Sequence, residues 1–469
     1  MDHPVQPSPL TRRRFLTIFG LSAVGVLATA CGSSTTSTPT TGTGSTGTGA
    51  SSAPASSVPA ASAAGSSTAP SAAGGAVVSV TWFAGRDPSG FTAKQVEKFN
   101  AQNTGVKIDY QEQGSTTTDL KDKFTTVASA KDSSADIVSA DVPFVPEFAA
   151  AGWTADLDAS FTTEERAQFF PGTIAGVTYD KKIYAMPWYN NGPGLFYRKD
   201  LFQAAGVQAP KSYAEMIATA KKLQTPDMAG YLTLASQSEQ GVITWLEFLW
   251  GAGGEMMDNQ LNVVLDKDSR GAEAFQFLLD MIYKDKVLPE FSVQGKATTD
   301  TAFPFRDGKG AMIRAWYTAI AQFNDPAGQI VGKWDVVPLP SKDGAKPGPG
   351  CLGTWNLAIS KFSKKQPQAI AAVKWLTAAD QQRQRVLDIG SLPARSAVFE
   401  DAAVKTKYPF VDSLKQSLQE LKPRPVTPFY SEMSSNVLQP NVGAVMVRQK
   451  TPEQAIKDIS EGLRKIAIK

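Results

Sequence analysis

The sequence predicts an α/β protein of two lobes, with an export signal and a tether in front of it. The folded part runs from Val77 to Lys469 of a 469-residue chain, longer than a single hydrophobic core usually serves, so two lobes are expected. It opens with strand and helix patterns in alternation, which argues for a parallel sheet with crossover helices. Before Val77 lie an export signal and a segment, 32–76, too poor in apolar residues to join a core.

The N-terminus is an address. Thr11-Arg12-Arg13-Arg14-Phe15-Leu16 is a basic segment with the spacing of a twin-arginine export signal. The apolar run from Phe15 to Ala30 has the length of a signal-peptide core and is too short to span a membrane comfortably. It ends in Leu27-Ala28-Thr29-Ala30-Cys31, which looks like a bacterial lipobox whose cysteine is lipidated, although Ala28 stands where such boxes often carry Leu. The alternative is an ordinary secretory peptide with an incidental cysteine. Residues 32–76 hold only Gly, Ser, Thr, Ala, Pro and one Val, so they are expected to form a disordered tether with a reach of roughly 35–40 Å. Residues 1–31 are therefore the signal. The mature chain should sit on the outer face of the cytoplasmic membrane, held by a lipid at Cys31.

Val77 to Phe83 is β-rich and leads to the turn-like Gly85–Gly90. A helical pattern over 92–101 precedes a strand at 106–110, a helix over 120–130 and a short buried strand at 135–139. Thr162 with Glu165, and Ser212 with Glu215, have capping-box spacing. Thr451-Pro452 with Gln454 marks a later helix start. A short strand is expected over Ile183–Met186, and 366–387 reads as one long helix. No internal repeat is visible.

Composition removes whole classes of chemistry. The only histidine is His3, inside the signal, and Cys351 is the only cysteine after Cys31. Ser-His-Asp and Cys-His catalysis are thereby excluded from the mature chain, as are His- or Cys-rich zinc sites. No metal or cofactor is expected, and Cys351 reads as a small buried thiol. The charge is nearly balanced, 47 basic against 44 acidic residues with three of the basic ones in the signal, so no nucleic-acid partner is expected.

Parallel-sheet lobes bind ligands at the carboxyl ends of their strands. Asp87 follows the first strand and Asp141 the third. Tyr189 and Asn191 follow the expected strand at 183–186, and Trp355 sits in Gly353–Ile359 beside or within another. Rings with scattered carboxylates and amides suit a sugar, whose C–H faces lie on aromatic rings while its hydroxyls need planar partners. Gly192-Pro193-Gly194 lacks the lysine pattern of a phosphate cradle. Glu247, within Trp245-Leu246-Glu247-Phe248-Leu249-Trp250, is costly to bury unpaired, so a ligand or an arginine partner is set against a solvated edge. Arg395 follows the turn Leu392-Pro393-Ala394 and is either a site residue or a plain surface arginine.

The stretches DIVSADVPFVPEFAAAGW (136–153), YAMPWYNNGPGLFYRKDLFQAAGV (184–207), FRDGKGAMIRAWYTAI (305–320), LGTWNLAISKFSKK (352–365) and SLPARSAVFED (391–401) resemble the extracellular sugar-binding proteins of bacterial ABC importers. The likeness covers essentially all of 77–469 and is nearest to the subgroup that takes trehalose, maltose and related α-linked glucosides. It implies a type II periplasmic-binding-protein-like fold, discontinuous lobes joined by a hinge, and a small-molecule sugar in the cleft between them. It implies that Asp141 binds a sugar hydroxyl, that Tyr189 and Asn191 contact ligand from the hinge, and that Trp316, Trp355 and Arg395 complete the site. Subgroup members often carry Asp where this chain has Asn191, so the preferred disaccharide stays open. The expected lobes are 77–187 with 338–377, and 188–337 with 378–469. The expected partners are ABC permease subunits and the membrane, with the protein a monomer. The competing readings are an extracellular glycoside hydrolase using Asp141 and Glu247 and a glycan-binding adhesin or sensor.

Overall fold

The computed structural model describes residues 76–467 except 115 and 296. The signal, Cys31 and the tether before Ala76 lie outside the described residues. Strands in chain order are β1 (Val78–Ala84), β2 (Val106–Glu112), β3 (Ile137–Asp141), β4 (Thr178–Tyr179), β5 (Lys182–Ile183), β6 (Met186–Tyr189), β7 (Pro193–Arg198), β8 (Ala229–Leu232), β9 (Gly310–Trp316), β10 (Trp334–Val337) and β11 (Trp355–Ile359). The expected opening alternation is present, with helices Phe91–Gln102 and Thr117–Ser129 between the first three strands.

The first lobe is built on a sheet of order β2-β1-β3-β11-β6. β1 runs parallel to β2 and β3, and β11 runs antiparallel to both β3 and β6. β11 is thus the one reversed strand, because it enters from the other lobe. Trp82, Phe124, Phe148, Ile137 and Leu357 are fully buried in this lobe's core.

The second lobe has a sheet of order β10-β7-β9-β8. Its strands are mostly apolar because both faces are covered, with Arg314 in β9 and Asp335 in β10 among the polar exceptions. Leu195, Tyr231 and Met312 enter one core, while their chain neighbours Phe196, Leu232 and Ile313 enter another on the opposite face. Successive side chains of a strand point to opposite faces. One dipeptide therefore feeds both cores.

Three connections join the lobes. The first runs from β6 to β7 through Asn190, Asn191 and Gly192. Asn190 ties it to the others: its Oδ1 accepts from Thr354 (2.9 Å) and Thr173 (3.0 Å), and its Nδ2 donates to the Pro393 carbonyl (3.2 Å). The glycines here serve close approach. A Cβ on Gly194 would lie 2.6 Å from the Val336 side chain and 2.8 Å from the Tyr317 ring.

The second connection differs from expectation. The expected lobe bounds put it at Val337-Pro338, yet the chain stays on the second lobe to Leu352. Leu339 and Cys351 are buried in the core containing Trp245. Ser341 and Tyr213 join backbones, and Leu352 N donates to Lys422 O. Burial of two apolar side chains holds the segment there, so the crossing falls at Gly353–Thr354.

The third begins at Thr377-Ala378, which also splits the long helix expected over 366–387 into Gln366–Leu376 and Ala379–Ile389. The second of these helices touches both lobes: Arg385 lies on first-lobe rings while Val386 enters a second-lobe core. The capping boxes at Thr162 and Ser212 are formed as expected. Among the described residues no helix is long and apolar enough to cross a membrane.

Candidate ligand-binding site

Register brings three of the expected residues side by side. Trp355, at the start of β11, pairs with Asp141 at the end of β3 on one side and with Tyr189 at the end of β6 on the other. Directly opposed strand residues have Cβ atoms about 4.5–5.5 Å apart. All three are only partly buried, unlike the strand residues behind them. Trp355 lies over the loop after β1, where a Cβ on Gly85 would sit 3.6 Å from its ring.

Trp316 ends β9 of the second lobe and reaches the same crossing. A Cβ on Gly353 would come within 2.6 Å of its ring, so only glycine lets the indole lie there. Its Nε1 donates to Gln240 Oε1 at 2.8 Å, and the Arg314 guanidinium stacks 4.2 Å from the ring centroid. Asn191 sits at the same crossing: its carbonyl accepts from Gly353 N at 2.9 Å. Its side-chain Oδ1 is buried with no hydrogen-bond partner among the described residues.

Glu247 is a correction. Its Oε2 accepts from Arg314 Nε at 2.8 Å, and its Oε1 accepts from Arg314 Nη2 at 2.5 Å and from Cys351 N at 3.1 Å. Glu247 thus has the arginine partner of the two alternatives, and that arginine lies on the Trp316 ring. Arg395 is a second correction. It turns away from the other rings, donating to Thr377 O at 2.7 Å and to Gln168, with its guanidinium 4.5 Å from the Phe169 ring.

Asp87 lies beside the rim, where its carboxylate caps the helix Phe91–Gln102. Oδ2 accepts from Thr92 N at 2.8 Å and Oδ1 from Ser89 N at 2.9 Å. Burial pushes this carboxyl up, and the bonds from Ser89 and Thr92 outweigh it, so its pKa lies below the ordinary value.

Two arginines that sequence reasoning did not single out touch the candidate residues. Arg424 is 3% exposed. Its Nη2 donates to both oxygens of Asp141 at 3.0 Å, and its Nη1 donates to Glu239 Oε1 at 2.9 Å. Glu239 opens the helix Glu239–Gly251 of the second lobe and also accepts from Tyr430 at 2.7 Å and from Ser434. Arg424 therefore links a first-lobe carboxylate to a second-lobe one. Burial works against its charge, and the contact with Asp141 prevails, leaving its pKa well above the ordinary value.

Arg385, 4% exposed, lies 4.3 Å from the Trp188 ring centroid, 4.5 Å from Tyr189 and 5.0 Å from Phe91, and donates to Thr92 Oγ1 at 2.8 Å. Such stacking holds Tyr189 in place. Arg424 had a local signal in the prolines that flank it, which fix its backbone. Arg385, in Gln381-Gln382-Arg383-Gln384-Arg385, had none.

Among the described residues no group of three or more His, Cys, Asp or Glu side chains is placed to hold a metal. Burial pushes the Cys351 thiol up to about 12, which makes it a poor nucleophile.

Two α/β lobes, three crossings pinned by Asn190, and rings and carboxylates gathered where they meet define a two-lobed solute-binding protein. The chain belongs to the bacterial extracellular solute-binding proteins, whose family pattern matches residues 85–383. It is 27% identical over 320 residues to a probable ABC transporter-binding protein of Deinococcus radiodurans, covering 66% of this chain and 75% of the relative. It is 26% identical over 309 residues to the diacetylchitobiose binding protein DasA of Streptomyces coelicolor, covering 63% and 68%. Among solved structures, maltose-bound T. maritima MalE3 superposes with a TM-score of 0.78 at 32% identity, covering 83% of this chain and all of that one.

Proposed function

We propose that the protein captures a neutral sugar, an α-linked di- or oligosaccharide such as maltose or trehalose, between its lobes and delivers it to the permease of an ABC importer. One observation carries this reading. Asp141, Trp355 and Tyr189 are direct neighbours on three strand ends of one lobe, and Trp316 of the other lobe lies against Gly353, two residues before Trp355. Rings with a carboxylate between them match the C–H faces and hydroxyl rim of a pyranose. The maltose in the T. maritima relative supports the same class.

Asp87, Asn191 and Arg424 complete the proposed contacts. Arg395 remains outside them, and Glu247 acts through Arg314. The chain binds without catalysis. The two carboxylates that hydrolysis would need, Asp141 and Glu247, are each held by a guanidinium. Hinge motion about Asn190–Gly192, Gly353–Thr354 and the segment after Thr377 opens and closes the lobes. The signal exports the chain, and a lipid at Cys31 holds it, as a monomer, on the outer face of the membrane.

The test is a thermal-shift and calorimetric screen of the purified protein against mono- and disaccharides, followed by analysis of the recovered sugar. An α-glucosyl disaccharide should bind one to one and be returned intact. Release of monosaccharide that disappears in Asp141→Asn would overturn the reading in favour of a hydrolase.

A further inference from the structure

A small cavity, about 30 Å³, lies in the second lobe against Trp316. Its uncharged polar lining comes from Thr233 and Gln240 at the carboxyl end of β8 and the start of the next helix, from Thr298 and Thr301, and from Thr318 and Gln322. A cavity of that size has room for about two water-sized atoms. Polar walls of this kind require polar contents.

The hydrogen bonds show what the cavity asks for. Gln322 Oε1 is buried and has no partner among the described residues, so it lacks a donor. Gln240 Oε1 is taken by the Trp316 indole, which turns its amide nitrogen, a donor, to other use. No carboxylate lines the cavity, and the charge of Arg314 in its wall is matched by Glu247. A cationic or anionic guest therefore has no counter-charge.

We propose that this cavity receives the hydroxymethyl arm of one hexose unit of the bound saccharide, and so selects neutral hexosides over 6-deoxyhexosides and pentosides. The inference rests on the sugar reading of the preceding section. The sugar ring lies on Trp316, and C6 and O6 reach past the indole edge. The arm supplies two heavy atoms and one hydroxyl, which donates to Gln322 Oε1 and accepts from the Gln240 amide. A site built to hydrogen-bond a hydroxyl discriminates strongly against the analogue that lacks it, because its own polar groups are then left unpaired.

The test is calorimetry on the purified protein with maltose and trehalose, the two mono-6-deoxy forms of maltose and 6-deoxytrehalose, repeated on Gln322→Met and Thr301→Val. The parent is expected to bind the disaccharide about 10- to 100-fold more tightly than a 6-deoxy analogue, with one of the two maltose positions affected. Gln322→Met should bring the disaccharide down to the level of its analogue, with apo melting unchanged. Thr301→Val, whose lost hydroxyl already donates to the Thr298 carbonyl, should leave the gap in place. Equal binding of parent sugar and every 6-deoxy analogue overturns the inference and leaves the cavity to water. A gap that persists in Gln322→Met also overturns it, because the arm is then read elsewhere. Failure of both maltose and trehalose to bind overturns the α-glucoside reading itself, a result separate from loss of 6-deoxy discrimination.

Discussion

Arg424→Met removes the guanidinium that joins Asp141 to Glu239 while keeping most of the side chain's length. Removing one partner of a buried, hydrogen-bonded ion pair costs about 3–5 kcal/mol. The low end applies here, because the Asp141 side chain is 15% exposed and that of Glu239 is 33% exposed, so water partly recovers both. The contact runs between lobes and not within one. The loss should therefore fall on closure, about 3 kcal/mol or a factor of roughly 150 in the ratio of closed to open chain. Small-angle scattering of the ligand-free variant should show a larger radius of gyration than the parent, and sugar affinity should fall as the closed population falls. Melting of the individual lobes should change little. Arg424→Lys, which keeps charge without the fork, should give an intermediate result. An unchanged radius of gyration together with unchanged sugar affinity would refute the assignment of Arg424 as the link between lobes.

Trp316→Ala and Trp355→Ala should each weaken sugar binding by roughly 2–4 kcal/mol, about 30- to 1000-fold, with modest effects on apo melting. Glu247→Gln should do the reverse, lowering the melting temperature by breaking a buried pair with Arg314, and calorimetry with thermal melts on the same samples separates the two patterns. Cys31→Ser should release the protein from membranes, and retention after a high-salt wash would contradict lipid anchoring. Lys405 and Lys415 hold the exposed Glu400 carboxyl down to about 2. An acid lowered in the folded chain adds stability above its ordinary value near 4.5 and loses it as pH falls towards 2. Melts across that window should therefore be steeper for the parent than for Glu400→Gln, and high salt should erase the difference.

The opening strands and helices were legible because each carries its own period and turn signals. Val78 to Trp82 alternates apolar with polar residues, and Ile137 to Ala140 is buried throughout. The edge positions were legible in part: Asp87 follows β1 as expected, while Asp141 and Tyr189 are the last residues of β3 and β6, the latter strand lying three residues later than the expected 183–186. Glu247 and Arg395 were harder to assign. An acid in an apolar helix must have a partner, but local sequence does not say whether that partner is a ligand or Arg314 sixty-seven residues on. Arg424 escaped for the same reason, as its contact with Asp141 spans 283 residues. The second crossing was misplaced because nothing in residues 338–352 announces that Leu339 and Cys351 are buried against the second lobe.

The most direct test of sugar capture by this cleft is isothermal titration of the parent and Trp355→Ala with maltose and trehalose. The expected result is a saturable one-to-one isotherm for at least one disaccharide in the parent, weakened at least 30-fold in Trp355→Ala at unchanged apo melting. No binding of either sugar by the parent, or equal affinity in the two proteins, would contradict it.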